Sequence, residues 1–360
     1  MDGVEQLMKA SGRVVVAVIL SMLMGGTLVA APAEPNRTWE SWDLFAPTVV
    51  QAPDGTIWAA WVANTGSERE IVTSRGDGNS WEPVEVAVAN PGRWDDTPSL
   101  AFDAYGVPWL TWSSSTEGDD ILHLSFWNGE EWSTLQAVPG AETIPNREPV
   151  LAPTPDGGLW LAWVGFDGND SEIYAARWDG ARWSEPQRVS GDDTDPAAYD
   201  AQPRLAVGAD GSVWAAWTGH EGFLDDEIFA SRWDRERWTP PQRVSGDDEE
   251  ADEYPSLAVA DDGSAWLAWD GLVPEAADEW RIHVSRWTPS EGWSEERIVS
   301  SPLDSAVADE RPSLSLDSTG FPHVIWHLNG GSLGIGYSEF DGSDWSPPRW
   351  AVKDAVSDAV

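Results

Sequence analysis

Along most of the chain short apolar runs alternate with clusters of Gly, Pro, Asp, Asn and Ser. Runs of that length, bounded by turn residues, predict strands rather than helices. The phrase Pro203-Arg204-Leu205-Ala206-Val207 recurs as Pro255-Ser256-Leu257-Ala258-Val259. It returns more loosely at Pro47, Pro98, Pro149 and Pro312, at intervals of 51, 51, 54, 52 and 57 residues. Each copy has an apolar run after the Pro, such as Ser99-Leu100-Ala101-Phe102, and then a tight turn such as Asp156-Gly157 or Asp210-Gly211. A Trp-rich run follows, for example Trp214-Ala215-Ala216-Trp217. A longer polar loop leads to a third run, Glu227–Trp233 in that copy, and a second tight turn leads to a fourth, such as Trp183–Val189. Asp-Gly between apolar runs is a strong hairpin signal because both residues tolerate positive φ.

Four strands joined by two tight turns and a loop make an antiparallel meander, and such units of about 40–50 residues mark propeller blades. The expected fold is all-β: a six-bladed β-propeller of four-stranded antiparallel blades, with repeats near 47–97, 98–148, 149–202, 203–254, 255–311 and 312–360. Thr38-Trp39-Glu40-Ser41-Trp42 reads as a further strand that latches the ring or covers its seam. Most of the 26 Trp fall at repeated strand positions. Five second strands carry two, three residues apart and so pointing to opposite faces, and the sixth carries Trp326 alone, so their expected role is blade packing.

The start of the chain differs in kind. Lys9 and Arg13 precede an apolar run, Val14–Ala30, which ends at Ala31-Pro32-Ala33. Charged start, apolar middle and small-residue end predict a secretory signal peptide at 1–33, cleaved after Ala33, and no membrane insertion of the mature chain 34–360. The net charge is -41 and Cys is absent. Phosphate binding needs clustered Lys and Arg, so nucleic acid is excluded as a partner. Thiol catalysis, disulfides and Cys-ligated metals are excluded too. Self-repulsion of that size destabilises a compact state at low salt and is screened at molar salt, which points to a secreted protein of a salt-rich setting.

The stretches Ala176-Arg177-Trp178-Asp179-Gly180-Ala181-Arg182-Trp183 and Ser338-Glu339-Phe340-Asp341-Gly342-Ser343-Asp344-Trp345 are similar to the Asp-box S-x-D-x-G-x-x-W, one residue shorter between Asp and Trp. With the P-x-L-A strand and D-G turn before them, they resemble the bacterial neuraminidase repeat proteins, the sialidase-like propellers. The resemblance implies a structural role for Asp77, Asp179, Asp234 and Asp341, stabilising turns opposite the active face. It also implies an arginine cluster that binds a carboxylate, with a Tyr nucleophile paired to a Glu. Arg147, Arg204 and Arg311 lie beside the repeat Pro in copies three, four and six, and Tyr254 and Glu253 lie there in copy five. The family's early R-I-P motif is absent.

Long variable loops share the end opposite the tight turns, where ligands of such folds sit. Trp94, Trp280, Tyr199 and Tyr254 are the candidate stacking platforms for sugar rings. Asp95, Asp200, Asp252 and Asp309 recur three residues before the Pro, and Asp192–Asp195 and Asp247–Glu253 are strongly acidic. Such oxygen clusters suit Ca²⁺, although no cofactor is required and the metal ligands are left unassigned. The leading expectation is a non-catalytic module binding a glycan or a cell-surface or other extracellular partner. The alternatives are an exo-α-sialidase-type glycoside hydrolase using Arg147, Arg204, Arg311, Tyr254 and Glu253, and a Ca²⁺-stabilised structural domain.

Overall fold

The computed structural model describes residues 43–64, 68–116, 119–138, 141, 145–191, 199–220, 226–246, 250–273, 279–301, 307–330 and 334–353. The signal segment, the strand expected at 38–42 and the acidic runs 192–195 and 247–249 lie outside them. Among the described residues every regular element is a strand.

Repeat four shows the plan. Tyr199–Val207, Val213–His220, Asp226–Trp233 and Gln242–Arg243 pair in chain order as an antiparallel meander. The other first strands are Asp43–Gln51, Trp94–Phe102, Asn146–Pro153, Asp252–Val259 and Val307–Leu316. The first two meanders merge into an eight-stranded sheet through a single parallel pair, Arg69 with Trp94. The remaining sheets have four, four, five and four strands, the extra one arising because the last strand of repeat five is split into Gly292–Trp293 and Arg297–Ile298.

Two expectations shift in detail. First strands begin three to five residues before the repeat Pro, not after it. Fourth strands are also shorter than their apolar runs: Trp183–Val189 contributes one bridge, Trp178 to Trp183, and the pair Gln187–Arg188. Pro186 between them has no N–H to donate to a ladder.

Second strands explain the Trp pattern. Val213–His220 is buried at every position but its last, so both faces of the strand are covered. The chain divides into two compact units, residues 1–168 with 174–187 and residues 169–173 with 188–360. Within the first, Trp58, Ala60 and Val62 face Leu100, Phe102 and Trp132 of the next repeat, while Ala59, Trp61 and Ala63 face Leu44, Val72 and Val84 of their own. Within the second, Trp214 and Ala216 pack on Leu267, Trp269 and Trp287, and Trp266 and Ala268 pack on Val324, Trp326 and Trp345. Truncating a buried Trp of this kind to Ala costs about 3–5 kcal/mol.

Candidate functional site

Each first strand carries a bulge at one place. The ladder skips a step between Ala201 and Arg204, Glu253 and Ser256, and Glu310 and Ser313, and at the matching point of the other three. The residue immediately before the Pro adopts the left-handed conformation every time: Ala46 (φ 50°), Thr97 (49°), Glu148 (54°), Gln202 (55°), Tyr254 (53°) and Arg311 (54°). A side-chain-bearing residue in that region is strained by about 1–2 kcal/mol, and bulges re-aim side chains beside functional sites. The bulge also frees an amide that needs a partner.

In the second unit neighbouring repeats supply that partner. The Gln202 side-chain oxygen accepts the Tyr254 N–H at 2.7 Å and the Thr218 hydroxyl at 2.9 Å. Asp270 Oδ1 accepts the Arg311 N–H at 3.3 Å. The Arg311 guanidinium lies 4.6 Å from the centre of the Tyr254 ring, and its Nη2 is 3.4 Å from the phenol oxygen. Glu253, half-buried and next to Tyr254 in the chain, lies within the electrostatic reach of Asp226, Gln202 and Arg311. Burial raises its pKa, and Asp226 adds to the shift, against the pull of Arg311 and Gln202. Asp226 in turn lies 2.6 Å from His220 Nδ1 and accepts from the Tyr199 hydroxyl at 3.4 Å. The Tyr199 ring stacks on His220 at 4.8 Å and is 39% exposed. Asp270 is buried, and desolvation pushes its pKa up to about 8, with Glu253 adding to the shift. The cluster sits where first strands enter and second strands leave their sheets, the end opposite the Asp-Gly turns.

The sequence candidates separate accordingly. Tyr254, Glu253, Arg311 and Tyr199 belong to this cluster. Arg204, half-buried, donates to the Pro203 carbonyl at 2.9 Å. Arg147 belongs to the first unit, exposed, with Nε 3.8 Å from Glu148. The three arginines also occupy three different places relative to their Pro: two before, one after and one before. Only Arg311 stands on the bulge. Trp94, in the first unit, is 43% exposed, with the Arg69 guanidinium 4.9 Å from its ring. Trp280 lies half-buried opposite Leu272 on the third strand of repeat five.

Gln202, Thr218, His220, Asp226 and Asp270 escape a reading based on residue type. The signal that would have found part of the set is positional: whatever residue precedes the repeat Pro.

The carboxylates three residues before the Pro are engaged by protein donors. Asp200, Asp252 and Asp309 each accept an indole N–H at 2.8 Å, from Trp217, Trp269 and Trp326. Asp95 accepts from the Ser114 hydroxyl at 2.5 Å and the Asn90 amide at 3.1 Å. Burial pushes Asp95 and Asp309 up to about 6. Burial also raises Asp200, and the neighbouring Glu172 adds to it.

A different Tyr–Glu–Arg grouping lies at the turn end of repeat six. The Tyr337 hydroxyl donates to Glu339 at 2.5 Å and sits 2.5 Å from His323 Nδ1, and Arg349 lies 4.6 Å from its ring. Burial and Glu339 raise the phenol's pKa, so this Tyr is held protonated. In the tight turns of their own repeats Asp77, Asp179, Asp234 and Asp341 each accept two backbone N–H groups, two and three residues ahead, at 2.8–2.9 Å.

No protein-family model and no curated protein matches the sequence. Solved structures do resemble it. A PL25 ulvan lyase aligns with a TM-score of 0.65 at 8% identity over 87% of this chain and 86% of its own. The NanB sialidase of Streptococcus pneumoniae aligns at 0.55 and 9%, over 85% and 68%. A GH93 α-L-arabinofuranosidase of Fusarium graminearum aligns at 0.56 and 12%, over 85% and 95%. At such identities the likeness is one of fold, and it assigns the chain a sialidase-like β-propeller fold.

Proposed function

We propose that this chain is a secreted, salt-adapted, six-bladed sialidase-like propeller that binds glycans, free or on a cell surface, at the long-loop end of its second unit without cleaving them. The observation that carries the reading is the Tyr254–Arg311 pair, a ring and guanidinium in contact, in a cluster whose Asp226 also takes the hydroxyl of an exposed Tyr199. Stacking rings with adjacent charged hydrogen-bonding groups suit a sugar. A nucleophilic Tyr needs a base in contact with its hydroxyl. Here the contact of the hydroxyl is with Arg311, and the groups that act on Glu253 are Asp226, Arg311 and Gln202. The resemblance to structures described as sialidase, arabinofuranosidase and ulvan lyase supports carbohydrate as the ligand class.

A second reading, an exo-acting sialidase-type hydrolase, rests on Asp270. A buried carboxyl that stays protonated to about pH 8, with the Glu253 carboxyl near it, has the makings of an acid and its partner. One experiment tests both readings. The secreted chain in molar NaCl is titrated with sialyllactose, arabinobiose and an ulvan disaccharide, and the matching fluorogenic glycosides are assayed from pH 5 to 8. Binding without turnover, weakened about tenfold by Arg311→Ala, is the expected result. Turnover lost in Asp270→Asn establishes the hydrolase. No response from a folded sample to any probe removes both.

A further inference from the structure

Trp94 stands outside the packing that holds the other tryptophans. It is 43% exposed, while every other described Trp is buried or half-buried. It lies on the first strand of repeat two, four residues before the repeat Pro. Repeat four is the one other repeat with a ring at that position, Tyr199; the rest have Asp43, Pro145, Ala251 and Ala308. Trp94 and Tyr199 are therefore the same place in two meanders, at the loop end of each sheet.

The surroundings correspond as well. In the second unit Arg311 lies over the Tyr254 ring at 4.6 Å and acts on the carboxylate of Glu253, two residues before the repeat Pro. In the first unit Arg69 lies over the Trp94 ring at 4.9 Å and over the Phe45 ring at 5.1 Å. Its Nη1 is 2.5 Å from Oδ2 of Asp96, which again stands two residues before the Pro. One arginine starts a third strand and the other stands on a bulge, so two different routes through the sequence reach one grouping of ring, guanidinium and carboxylate. The grouping is also held firmly. Trp94 pairs with Arg69 through the single parallel bridge. On one side of it the Arg93 guanidinium donates to the Ser114 hydroxyl oxygen at 3.0 Å and to the Ser114 carbonyl at 3.1 Å. On the other, Asp96 Oδ1 accepts the Thr97 N–H at 2.8 Å, and the Thr97 and Ser113 hydroxyls meet at 2.7 Å. Side chains fixed in this way make a preorganised binding surface. Arg69 and Asp96 keep 29% and 32% of their side-chain surface exposed, so the ion pair stays within reach of a ligand.

We propose that Trp94, with Arg69 and Asp96, forms a second saccharide site, at the loop end of the first unit, and that its ligand is a neutral sugar ring. The indole meets the C–H face of the ring, and the guanidinium and carboxylate beside it meet the hydroxyls as donor and acceptor. A purely apolar guest would desolvate the Arg69–Asp96 pair and return no hydrogen bond. An acidic sugar would compete with Asp96 for Arg69, in a stretch where Glu68 and Glu70 flank the arginine. The site shares no residue with the Tyr254–Arg311 cluster. The likeness between the two groupings rests on the function proposed for that cluster; the exposed indole and its ion pair do not.

The test uses the whole secreted chain in molar NaCl, titrated with cellotriose, xylotriose and mannotriose, with trigalacturonate as the anionic counterpart. The titrations are run on the wild type and on Arg311→Ala, which isolates the first unit's site. At least one neutral trisaccharide is expected to bind the Arg311→Ala chain. Adding Trp94→Ala should weaken that binding about tenfold, the loss of one stacking ring, and Trp94→Phe, which keeps a ring, should weaken it less. Asp96→Asn keeps an acceptor for the Thr97 N–H and should weaken it about threefold through the lost charge; it decides if Trp94→Ala fails to fold. Binding that is indifferent to Arg311→Ala and lost with Trp94→Ala supports this site while removing the function proposed for the second unit. The proposal is overturned if no neutral trisaccharide binds the Arg311→Ala chain at about 10 mM. It is equally overturned if only trigalacturonate binds, or if binding is unchanged in the folded Trp94 and Asp96 variants.

Discussion

Asp262 and Asp270 flank one strand, Ala265–Val273, in opposite environments. Asp262 stands in the turn before it, where Oδ1 accepts the Ser264 N–H at 2.9 Å and the Ser264 hydroxyl at 2.6 Å. These bonds, the hydroxyl's first, hold its pKa below the usual value. Asp270 lies inside the strand, buried, and desolvation pushes it up to about 8. The contrast extends to both sets of repeated aspartates. At the turn end Asp77, Asp179, Asp234 and Asp341 are stabilised as anions by backbone or side-chain donors. At the loop end Asp95, Asp200 and Asp309 are raised by burial. One residue type therefore does two jobs. At the exposed turns the ionised carboxylate orders the chain. Inside the sheets it is the hydrogen-bond acceptor that matters, and the charge is a burden.

The largest expected effect is at Asp309. It takes the Trp326 indole N–H and lies 3.8 Å from the buried Arg281 guanidinium. Asp309→Ala leaves the Trp326 indole N–H without its acceptor, while Arg281 keeps Glu279 and the Trp280 carbonyl, and should cost about 1–3 kcal/mol in denaturant unfolding. Asp309→Asn keeps an acceptor for the indole and should cost less. Equal losses for Asp309→Ala and Asp262→Ala would end the contrast between the ends.

Next in size is the pH response. Asp270 binds a proton more tightly folded than unfolded, so the folded state holds more protons between about pH 4 and 8. Stability contributed there is present below the unfolded pKa and falls as pH rises through that window. A loss on the order of 1 kcal/mol from this group is expected between pH 5 and 8, so the decline is shallower in Asp270→Asn, with Asp95, Asp200 and Asp309 still acting in the same direction. A wild-type melting midpoint that rises over this interval contradicts the assignment.

Salt acts on the exposed charges and hardly on the buried ones. With a net charge of -41, the melting midpoint should climb by several degrees between about 0.1 M and 2 M NaCl. Asp270→Asn should climb in parallel with wild type, because a buried group is little screened. A midpoint indifferent to salt removes the salt-adapted reading.

The smallest effect belongs to a single turn. Asp179→Ala removes one acceptor of two N–H bonds, leaving the other turns intact. Because the Asp179 pKa is lowered, its contribution is present above the unfolded value and is lost as pH falls. The variant should therefore be slightly less stable than wild type at pH 7, with a smaller gap near pH 3. Thermal melts at the two values check this.

The repeat was legible because it is local. A Pro, a D-G turn and paired Trp recur in register, and each meander closes within about fifty residues, so periodicity alone announces strands and their order. The paired aspartate and Trp were legible in principle too. Asp200 and Trp217, Asp252 and Trp269, and Asp309 and Trp326 share one spacing of seventeen residues. Reading the Asp alone as a candidate oxygen ligand missed the donor waiting on the next strand. The arginines beside the prolines are a different case, because residue type leaves their directions open. Arg147, Arg204 and Arg311 look equivalent beside their prolines, yet a one-residue offset on a strand reverses a side chain's direction.

By itself, the sequence determined an all-β chain of repeated antiparallel meanders with Trp as its framework, since hydrophobic period and turn chemistry act over a few residues. Tertiary structure alone decided which side chains meet. The Gln202 bond to the Tyr254 N–H, the Arg311 bond to Asp270, and the meeting of Glu253 with Asp226 all join repeats that are distant in the chain. Burial decided the charges in the same way, because the field at Asp270 comes from the atoms packed around it and not from its neighbours in the chain.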